Sequence, residues 1–258
     1  MTQTIRLDQK VAAITGGYGH LGSAISQAML VHGAKVFVMG RSEESFKALQ
    51  ENTSNAEHLH FVSCDISQQV SVKQAFEAIR QQAGRLDILV NNAFYLKGDL
   101  PEKLNDDDFA YGIEGTLNSA YRCIREALAY LPDGGRIINI GSMYGSVSPD
   151  FAIYKEHPDF FNPPNYGAAK AGLAQLSRYF ANYLGNRQIS VNCISPGAFP
   201  APEVSKHESF IAEINKRTAL GRIGKPEDLG GICVLLASDH GSYITGQNIH
   251  VDGGWTSR

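Results

Sequence analysis

The sequence contains 258 residues, 43% hydrophobic and 19% charged, with a formal net charge of -3, which favours one compact α/β domain, residues 1–258, over a fibrous or disordered chain. No Lys/Arg block stands out, which argues against a nucleic-acid partner bound through its phosphates. Residues 1–7 lack an apolar signal core and no later run could span a bilayer, so we expect a cytoplasmic protein with no membrane partner.

The first predicted strand, residues 10–15, leads directly into a glycine-rich turn. Gly17, Gly19 and Gly22 follow it with the spacing G-x-G-x-x-G, and apolar residues at helical spacing predict a helix next. Backbone N–H groups of such a turn and helix bind a dinucleotide pyrophosphate, whereas the alternative is a glycine-rich loop without a ligand. The predicted cofactor contacts here are Gly16, Gly17, Gly19, His20, Leu21 and Gly22, with Tyr18 as a nearby loop residue.

The second predicted strand, residues 34–39, ends where the adenosine ribose of a dinucleotide should lie. A carboxylate at this point selects NAD, but the sequence offers Arg41, whose guanidinium suits a 2′-phosphate. We therefore expect NADP as the cofactor, with NAD still possible. In the alternative, Arg41 only covers the adenine, and Glu43 or Glu44 reaches the ribose.

Two further strand ends carry polar residues that suit the same cleft. After a third strand, about 58–63, Asp65 either bonds the adenine amino group or caps the next segment, and Ile66 follows it. A helix over 70–82 and a strand over 86–90 precede Asn91, Asn92 and Ala93. Amides at a strand end satisfy backbone groups or line a cofactor cleft, and the first role is the commoner one.

Ser142 follows the fifth predicted strand, residues 136–140, at the carboxyl edge where open α/β sheets bind ligands. Tyr166 and Lys170 are four residues apart on the next predicted helix, so both side chains can enter one cleft. A phenol titrates near pKa ~10, and a neighbouring ammonium is expected to lower that pKa. Ser142, Tyr166 and Lys170 are thus the predicted catalytic residues; the alternative is an accidental pair on a solvated helix.

The remaining elements are two strands and scattered thiols. A strand over 188–194 is closed by Ser195, Pro196 and Gly197, and a last strand is predicted within 243–254. The cysteines show no metal-ligand spacing and each sits in an apolar segment, so reduced core thiols are expected rather than disulfides or zinc, and no metal site is predicted. They are Cys64, Cys123, Cys193 and Cys233.

In order and spacing, these motifs resemble the short-chain dehydrogenase/reductase family over nearly the whole chain. The matching pieces include the glycine turn, Asp65, Ser142, Tyr166 with Lys170, and Pro196-Gly197. The resemblance implies a single doubly wound Rossmann-type domain with a seven-stranded parallel sheet, hydride transfer at a nicotinamide and proton transfer by Tyr166. It also implies a homotetramer or homodimer. The later predicted cofactor contacts are Ile66, Asn92, Ala93, Tyr166, Lys170, Pro196, Gly197 and Phe199.

Four departures from the family pattern bear on the site. His20 and Phe94 stand where the family usually has glycine, and Thr116, in a helix predicted over 107–131, stands at a frequent asparagine that supports a proton relay to the lysine. Asn118 would be a poor substitute for that asparagine. Residues 198–201 replace a threonine that commonly touches the cofactor.

The largest departure is an insertion at about 146–165, between Ser142 and Tyr166. A loop there is expected to wall the substrate pocket, together with a substrate loop at about 198–218, and the alternative is an oligomer contact. Its aromatic and polar residues suit a hydroxyl-rich ligand, and similar insertions occur in family members of bacterial sugar and flagellin-glycan modification, which this chain resembles.

The sequence thus predicts an NADP(H)-preferring oxidoreductase that interconverts a secondary alcohol and a ketone on a small polar, sugar-like substrate. One alternative is a 3-oxoacyl-carrier-protein reductase, for which Lys206, Lys216 and Arg217 would supply basic charge near the cleft mouth. The other is a non-catalytic nucleotide-binding sensor on the same fold, which the missing family residues would favour.

Overall fold

A computed structural model describes residues 4–257; residues 1–3, part of the amino-terminal stretch considered above, and residue 258 lie outside the described residues. Within 4–257, seven strands form one sheet in the order β3-β2-β1-β4-β5-β6-β7, with all neighbours parallel. The predicted doubly wound, Rossmann-type sheet is confirmed. The strands are Val11–Thr15 (β1), Lys35–Gly40 (β2), Leu59–Ser63 (β3), Ile88–Asn91 (β4), Arg136–Ile140 (β5), Ser190–Pro196 (β6) and Asn248–Val251 (β7).

Helices cover both faces of the sheet. The α-helices are His20–Val31 (α1), Glu43–Glu51 (α2), Gln69–Ala83 (α3), Asp106–Ile113 (α4), Ser119–Ala127 (α5), Pro164–Tyr183 (α6), Pro202–Ser205 (α7), Glu208–Asn215 (α8) and Gly230–Ala237 (α9). One core joins α1, α2 and α9 to Ile14 and Val38, and the other joins α3, α5 and α6 to Ala13 and Phe37. Because successive strand residues point to opposite faces, each central strand contributes to both cores.

The last two strands are bounded differently from the prediction. β6 begins at Ser190, and β7 covers only Asn248–Val251 of the predicted range 243–254. Residues 243–247 turn instead, with Tyr243 fully exposed and the Thr245 hydroxyl accepting a hydrogen bond of 3.0 Å from the Val191 backbone. The polar side chains of this turn bond a neighbouring strand, so polar and apolar residues alternate along it as they do along a strand. The sequence pattern therefore did not distinguish the turn from a strand.

The helix predicted over 107–131 is interrupted. A π-helical turn, Glu114–Asn118, separates α4 from α5, and single π turns of this kind are frequent at functional sites. Near its start, the backbone of Gly115 touches Tyr95 so closely that a Cβ atom there would overlap the Tyr95 carbonyl oxygen. The turn therefore depends on a glycine at that position.

The insertion folds as short turns and packs on the substrate loop rather than extending into solvent. Ile153 and Tyr154 of the insertion form a small apolar cluster with Phe210 and Ile214, which lie on α8. The Arg217 side chain binds the Asp150 carboxylate at 2.6 Å. The two segments thus form one unit.

Two further features of the described residues are the state of the cysteines and the character of the helices. All four cysteines are free and buried, as predicted for core thiols. Among residues 4–257, no helix combines the length and the apolar character that a bilayer span requires.

Candidate active site

The glycine turn between β1 and α1 is shaped by close contacts. Gly16 has a φ of +62°, a left-handed conformation that favours glycine. A Cβ on Gly17 would lie 2.8 Å from the Ser26 hydroxyl, and one on Gly22 would collide with the Gly16 carbonyl oxygen. Gly17 and Gly22 are buried behind the turn, so they shape it without lining the cleft beside it.

That cleft has a volume of about 480 Å³ and lies at the carboxyl ends of the strands. It holds every predicted cofactor contact apart from Gly17 and Gly22, and all three predicted catalytic residues. Several lining residues were not among the predicted cofactor contacts, and most of them lie at strand ends, where taking each strand's last residues would have found them. They are Tyr18, Met39, Gly40, Cys64, Phe94, Tyr95, Ile140, Gly141 and Ala201.

Three features of the nucleotide end fit a dinucleotide. Gly19 leaves the N-terminus of α1 without a side-chain cap, so its N–H groups are available to an anion. Within residues 4–257 the buried Nε2 atom of His20 has no hydrogen-bond partner. A glycine turn, a free helix N-terminus and an unpartnered polar atom on one wall are what a bound phosphate group would satisfy.

Arg41 is exposed at the end of β2, and a tyrosine holds its loop in place. The Tyr18 hydroxyl accepts hydrogen bonds from the backbone N–H groups of Arg41 at 3.0 Å and of Ser42 at 3.2 Å. Tyr18 is therefore a loop residue that lines the cleft, and it fixes the backbone from which the Arg41 side chain extends.

Asp65 and Asn92 both have structural partners in addition to lining the cleft. Asp65 accepts a hydrogen bond of 2.9 Å from the Ser67 backbone, which is the capping role. Burial acts to raise the pKa of Asp65, but the Ser67 hydrogen bonds and the charge of Arg41 hold it below its usual value. The Asn92 amide donates to the carbonyl oxygens of Thr15 at 3.0 Å and Gly16 at 3.1 Å, which ties β4 to the glycine turn.

Ser142, Tyr166 and Lys170 meet at the other end of the cleft. Ser142 follows β5, and Tyr166 and Lys170 lie one turn apart near the start of α6. The Lys170 ammonium is buried, donates to the Ile140 carbonyl oxygen at 2.6 Å and lies 5.7 Å from the Tyr166 ring centroid. The structure thus brings together the three side chains that the sequence predicts to be catalytic.

The expected lowering of the Tyr166 pKa by Lys170 is wrong for this structure. Burial raises the pKa of Tyr166, and it is the Ser142 hydroxyl that acts in the opposite direction. Burial also lowers the pKa of Lys170, to about 8. Desolvation penalises each charged form, and for Tyr166 the opposing effect comes from Ser142 rather than from Lys170.

Phe94 covers this pair. Its ring centroid lies 5.7 Å from that of Tyr166, and the Lys170 ammonium lies 4.9 Å from the centre of the Phe94 ring. Thr116 is buried in the π turn, and its hydroxyl has no hydrogen-bond partner within residues 4–257. Asn118 instead binds Glu114 at 2.6 Å, in line with its being a poor substitute for the family asparagine.

The insertion does not line the large cleft. Of the described residues in 146–165, none belongs to its wall, so the expectation that the insertion walls the substrate pocket is not met there. The insertion borders a separate cavity of about 420 Å³ with Tyr144 and Gly167. The insertion lies outside the cleft because it packs on α8. From the substrate loop, Phe199 and Ala201 reach the cleft.

Comparison with known proteins agrees with this geometry. The sequence model of a family described as Enoyl-(Acyl carrier protein) reductase matches residues 19–256. A 3-oxoacyl-[acyl-carrier-protein] reductase, FabG, from Salmonella typhimurium is 32% identical over 250 residues, covering 95% of this chain and 96% of the relative.

Two solved structures have the same fold over almost their full length. A short-chain dehydrogenase/reductase from Serratia marcescens has a TM-score of 0.87 at 30% identity, covering 97% of this chain and 99% of its own. The Pseudomonas aeruginosa RhlG/NADP active-site complex has a TM-score of 0.88 at 29% identity, with 99% of both chains covered. With the glycine turn, the strand-end residues and the Ser142, Tyr166 and Lys170 cluster in their places, the chain belongs to the short-chain dehydrogenase/reductase family.

Proposed function

We propose that this chain, an oxidoreductase by family, interconverts a secondary alcohol and a ketone on a small polar, sugar-like substrate with NADP(H) in the cytoplasm. The observation that carries the proposal is one continuous cleft. It runs from the glycine turn and Arg41 to the cluster of Ser142, Tyr166 and Lys170. A dinucleotide bound along it would place its adenosine phosphate at Arg41 and its nicotinamide at the cluster.

The cofactor preference is proposed from Arg41 and from a relative. An exposed guanidinium at the end of β2 suits a 2′-phosphate, because it forms charge-assisted hydrogen bonds with phosphate oxygens. The similar Pseudomonas aeruginosa structure is an NADP complex. The bound cofactor would supply the hydride.

The chain's own residues handle the proton. Because burial raises the pKa of Tyr166, its phenol is protonated at neutral pH and suits the role of acid toward a carbonyl oxygen. The Ser142 hydroxyl would donate a hydrogen bond to the same oxygen and polarise the carbonyl. Lys170, charged below its pKa of about 8, would favour negative charge on Tyr166 as the proton leaves.

The second candidate, reduction of a 3-oxoacyl carrier protein, is favoured by the FabG relative. The basic residues expected to serve it are already paired. Lys206 binds Glu203 at 2.7 Å, Lys216 binds Glu213 at 2.5 Å and Arg217 binds Asp150 at 2.6 Å. Because a carboxylate already neighbours each of these charges, they do not form the basic patch that an acidic carrier would favour. We therefore keep the polar, sugar-like substrate, with its proposed place in sugar or flagellin-glycan modification, as the first candidate.

Tyr166→Phe tests the chemistry. It should reduce NADPH-dependent ketone reduction by about 10²–10⁴-fold, because the proton donor is lost. NADPH binding, measured by fluorescence titration, should stay within about twofold and remain tighter than NADH binding. Comparable turnover in the variant would contradict the assignment of Tyr166. Tight NADPH binding by the wild type with no turnover on hydroxyketones or on acetoacetyl-carrier protein would instead support the nucleotide sensor.

A further inference from the structure

Tyr144 lies next to the catalytic cluster and is held on both sides. It follows Ser142 by two residues, and its backbone N–H donates to the Ser142 hydroxyl oxygen at 3.1 Å. Its carbonyl group abuts α6, where a Cβ on Gly167 would lie 2.9 Å from the Tyr144 carbonyl oxygen. Tyr144 is thus positioned by the two elements that carry Ser142 and Tyr166.

The insertion brings a second tyrosine to Tyr144. Tyr154 is 7% exposed, and its hydroxyl oxygen lies 3.1 Å from that of Tyr144. The Tyr154 ring packs on Phe161 and Phe210 at centroid distances of 5.7 and 6.1 Å. The insertion, which is absent from the cleft wall, therefore contacts Tyr144, the neighbour of the catalytic cluster, through one hydroxyl group.

This hydroxyl pair has an unused donor. Each phenol carries one hydrogen and two acceptor lone pairs, and one hydrogen suffices for the bond between them. Among the described residues, each of these hydroxyls hydrogen-bonds only the other, so one O–H remains without an acceptor. An O–H group without an acceptor in the protein is available to donate to a ligand oxygen.

The surroundings favour a neutral oxygen as that acceptor. Burial raises the pKa of both Tyr144 and Tyr154, so both remain hydrogen donors at neutral pH. The nearby guanidinium of Arg217 is paired with Asp150 at 2.6 Å and Glu213 at 3.1 Å. With its charge already compensated, this region offers a hydrogen bond rather than a cation.

We propose that Tyr144 and Tyr154, on the cavity side of Ser142, form a substrate subsite that donates a hydrogen bond to a second, neutral oxygen of the substrate. The inference rests on the proposed function, since it assumes that Ser142 and Tyr166 hold the reacting oxygen. Two sources of that second oxygen share this chemistry: a hydroxyl on a polyol-like ketone, and the thioester carbonyl of a 3-oxoacyl group.

The test uses Tyr154→Phe and Tyr144→Phe, with Tyr243→Phe as the matched control because Tyr243 is fully exposed. The substrates are 1-hydroxy-2-butanone, 2-butanone and acetoacetyl-CoA, with NADPH. Loss of one neutral hydrogen bond should lower kcat/KM for the oxygenated substrate by roughly three- to tenfold, mainly through KM. Reduction of 2-butanone should change by less than about twofold, since only the second oxygen meets the pair.

The three substrates distinguish the possible outcomes. A loss confined to 1-hydroxy-2-butanone assigns the subsite to a hydroxyl, and a loss confined to acetoacetyl-CoA assigns it to a thioester carbonyl. Equal losses on all three ketones would overturn the subsite and leave the pair a structural contact. Both phenylalanine substitutions keep the aromatic ring, and an unchanged unfolding temperature would show that the fold is intact. If Tyr154→Phe unfolds, Tyr144→Phe provides the test.

A binding measurement keeps the inference testable if the proposed reaction fails. Calorimetry of wild type and Tyr154→Phe with 1,2-butanediol and 2-butanol, in the presence of NADP, needs no turnover. Tighter binding of the diol that is lost in the variant supports the subsite even if no ketone is reduced. No preference for the diol in a wild type that does reduce ketones overturns the subsite alone.

Discussion

At the scale of single residues, Lys170 is the group whose charge is most finely balanced. Burial lowers its pKa to about 8, so it loses its proton within the range in which enzymes are assayed. The titratable groups beside it are the Tyr166 phenol and the Cys193 thiol, and the latter acts to raise the Lys170 pKa. The Phe94 ring, 4.9 Å from the ammonium, also favours the charged form through its negative face.

Phe94→Leu should therefore move the alkaline limb of the pH profile of kcat to lower pH. Leucine keeps an apolar cover but has no ring, so the charged form of Lys170 loses its cation–π contact and its pKa falls, by about half a unit. The reaction needs the charged form of Lys170, which exists below this pKa. With a lower pKa, activity should therefore be lost at a lower pH than in the wild type. Phe94→Tyr keeps the ring and should leave the limb in place; a limb that moves equally in both variants would contradict the argument.

At the scale of elements, the π turn joins the cofactor wall to α6. Arg122, on α5, donates to the Ile66 carbonyl oxygen at 2.7 Å and also binds Glu114. Leu117 of the same turn packs against Gly172 on α6. The turn therefore links Ile66, on the cleft wall, to the helix that carries Tyr166 and Lys170.

Gly115→Ala should destabilise the protein by about 1–3 kcal/mol, since the added methyl group overlaps the Tyr95 carbonyl oxygen and the backbone must shift. Thermal unfolding should show a midpoint lowered by roughly 2–10 °C. Gly231→Ala is the matched control, because it also lies in a helical segment but has open space around it. That control should be neutral or stabilising by up to about 1 kcal/mol, because alanine has the higher helix propensity. An equal loss in both variants would contradict the Tyr95 contact as the cause.

The helices and strands also show how much of the structure could be predicted from the sequence. The strands were predictable, because buried apolar runs ending in glycine or polar residues indicate strands whose ends form a ligand edge. The parallel sheet itself was implied by the family resemblance. The π turn was not predictable, since Gly115 meets Tyr95 only through the fold. The strand-end rule likewise found Ser142 and Arg41, whereas the rise in the Tyr166 pKa depends on burial that no local pattern reports.

The insertion shows the same limit of prediction from the sequence. Its position between Ser142 and Tyr166 placed it near the chemistry, but its partner, α8, lies more than forty residues beyond it in the chain. Contacts of this kind are set by the packing of side chains such as Tyr154 and Phe210. Composition suggested a polar pocket wall, and packing made the insertion part of a second unit that touches the site at Tyr144.

At the scale of the whole molecule, an aromatic stripe is left exposed on α5 and α6. Tyr121, Tyr179 and Tyr183 are between 43% and 62% exposed, and the Phe180 ring lies within 6.4 Å of each of theirs. A contiguous exposed aromatic surface is typical of an interaction site. It suits the homodimer or homotetramer that we propose from the family resemblance, with a second copy of this chain as the occupant.

Replacement of Tyr179 and Tyr183 together by lysine should therefore shift the protein toward a monomer of 28.1 kDa. Two ammonium groups would have to be desolvated in a shared interface, and Arg178 adjoins them on the same surface. Light scattering at several protein concentrations measures the mass. Tyr243→Lys is the control, since Tyr243 is fully exposed and lies outside the stripe. A double variant with the same mass as the wild type and the control would show that copies of this chain associate elsewhere or not at all.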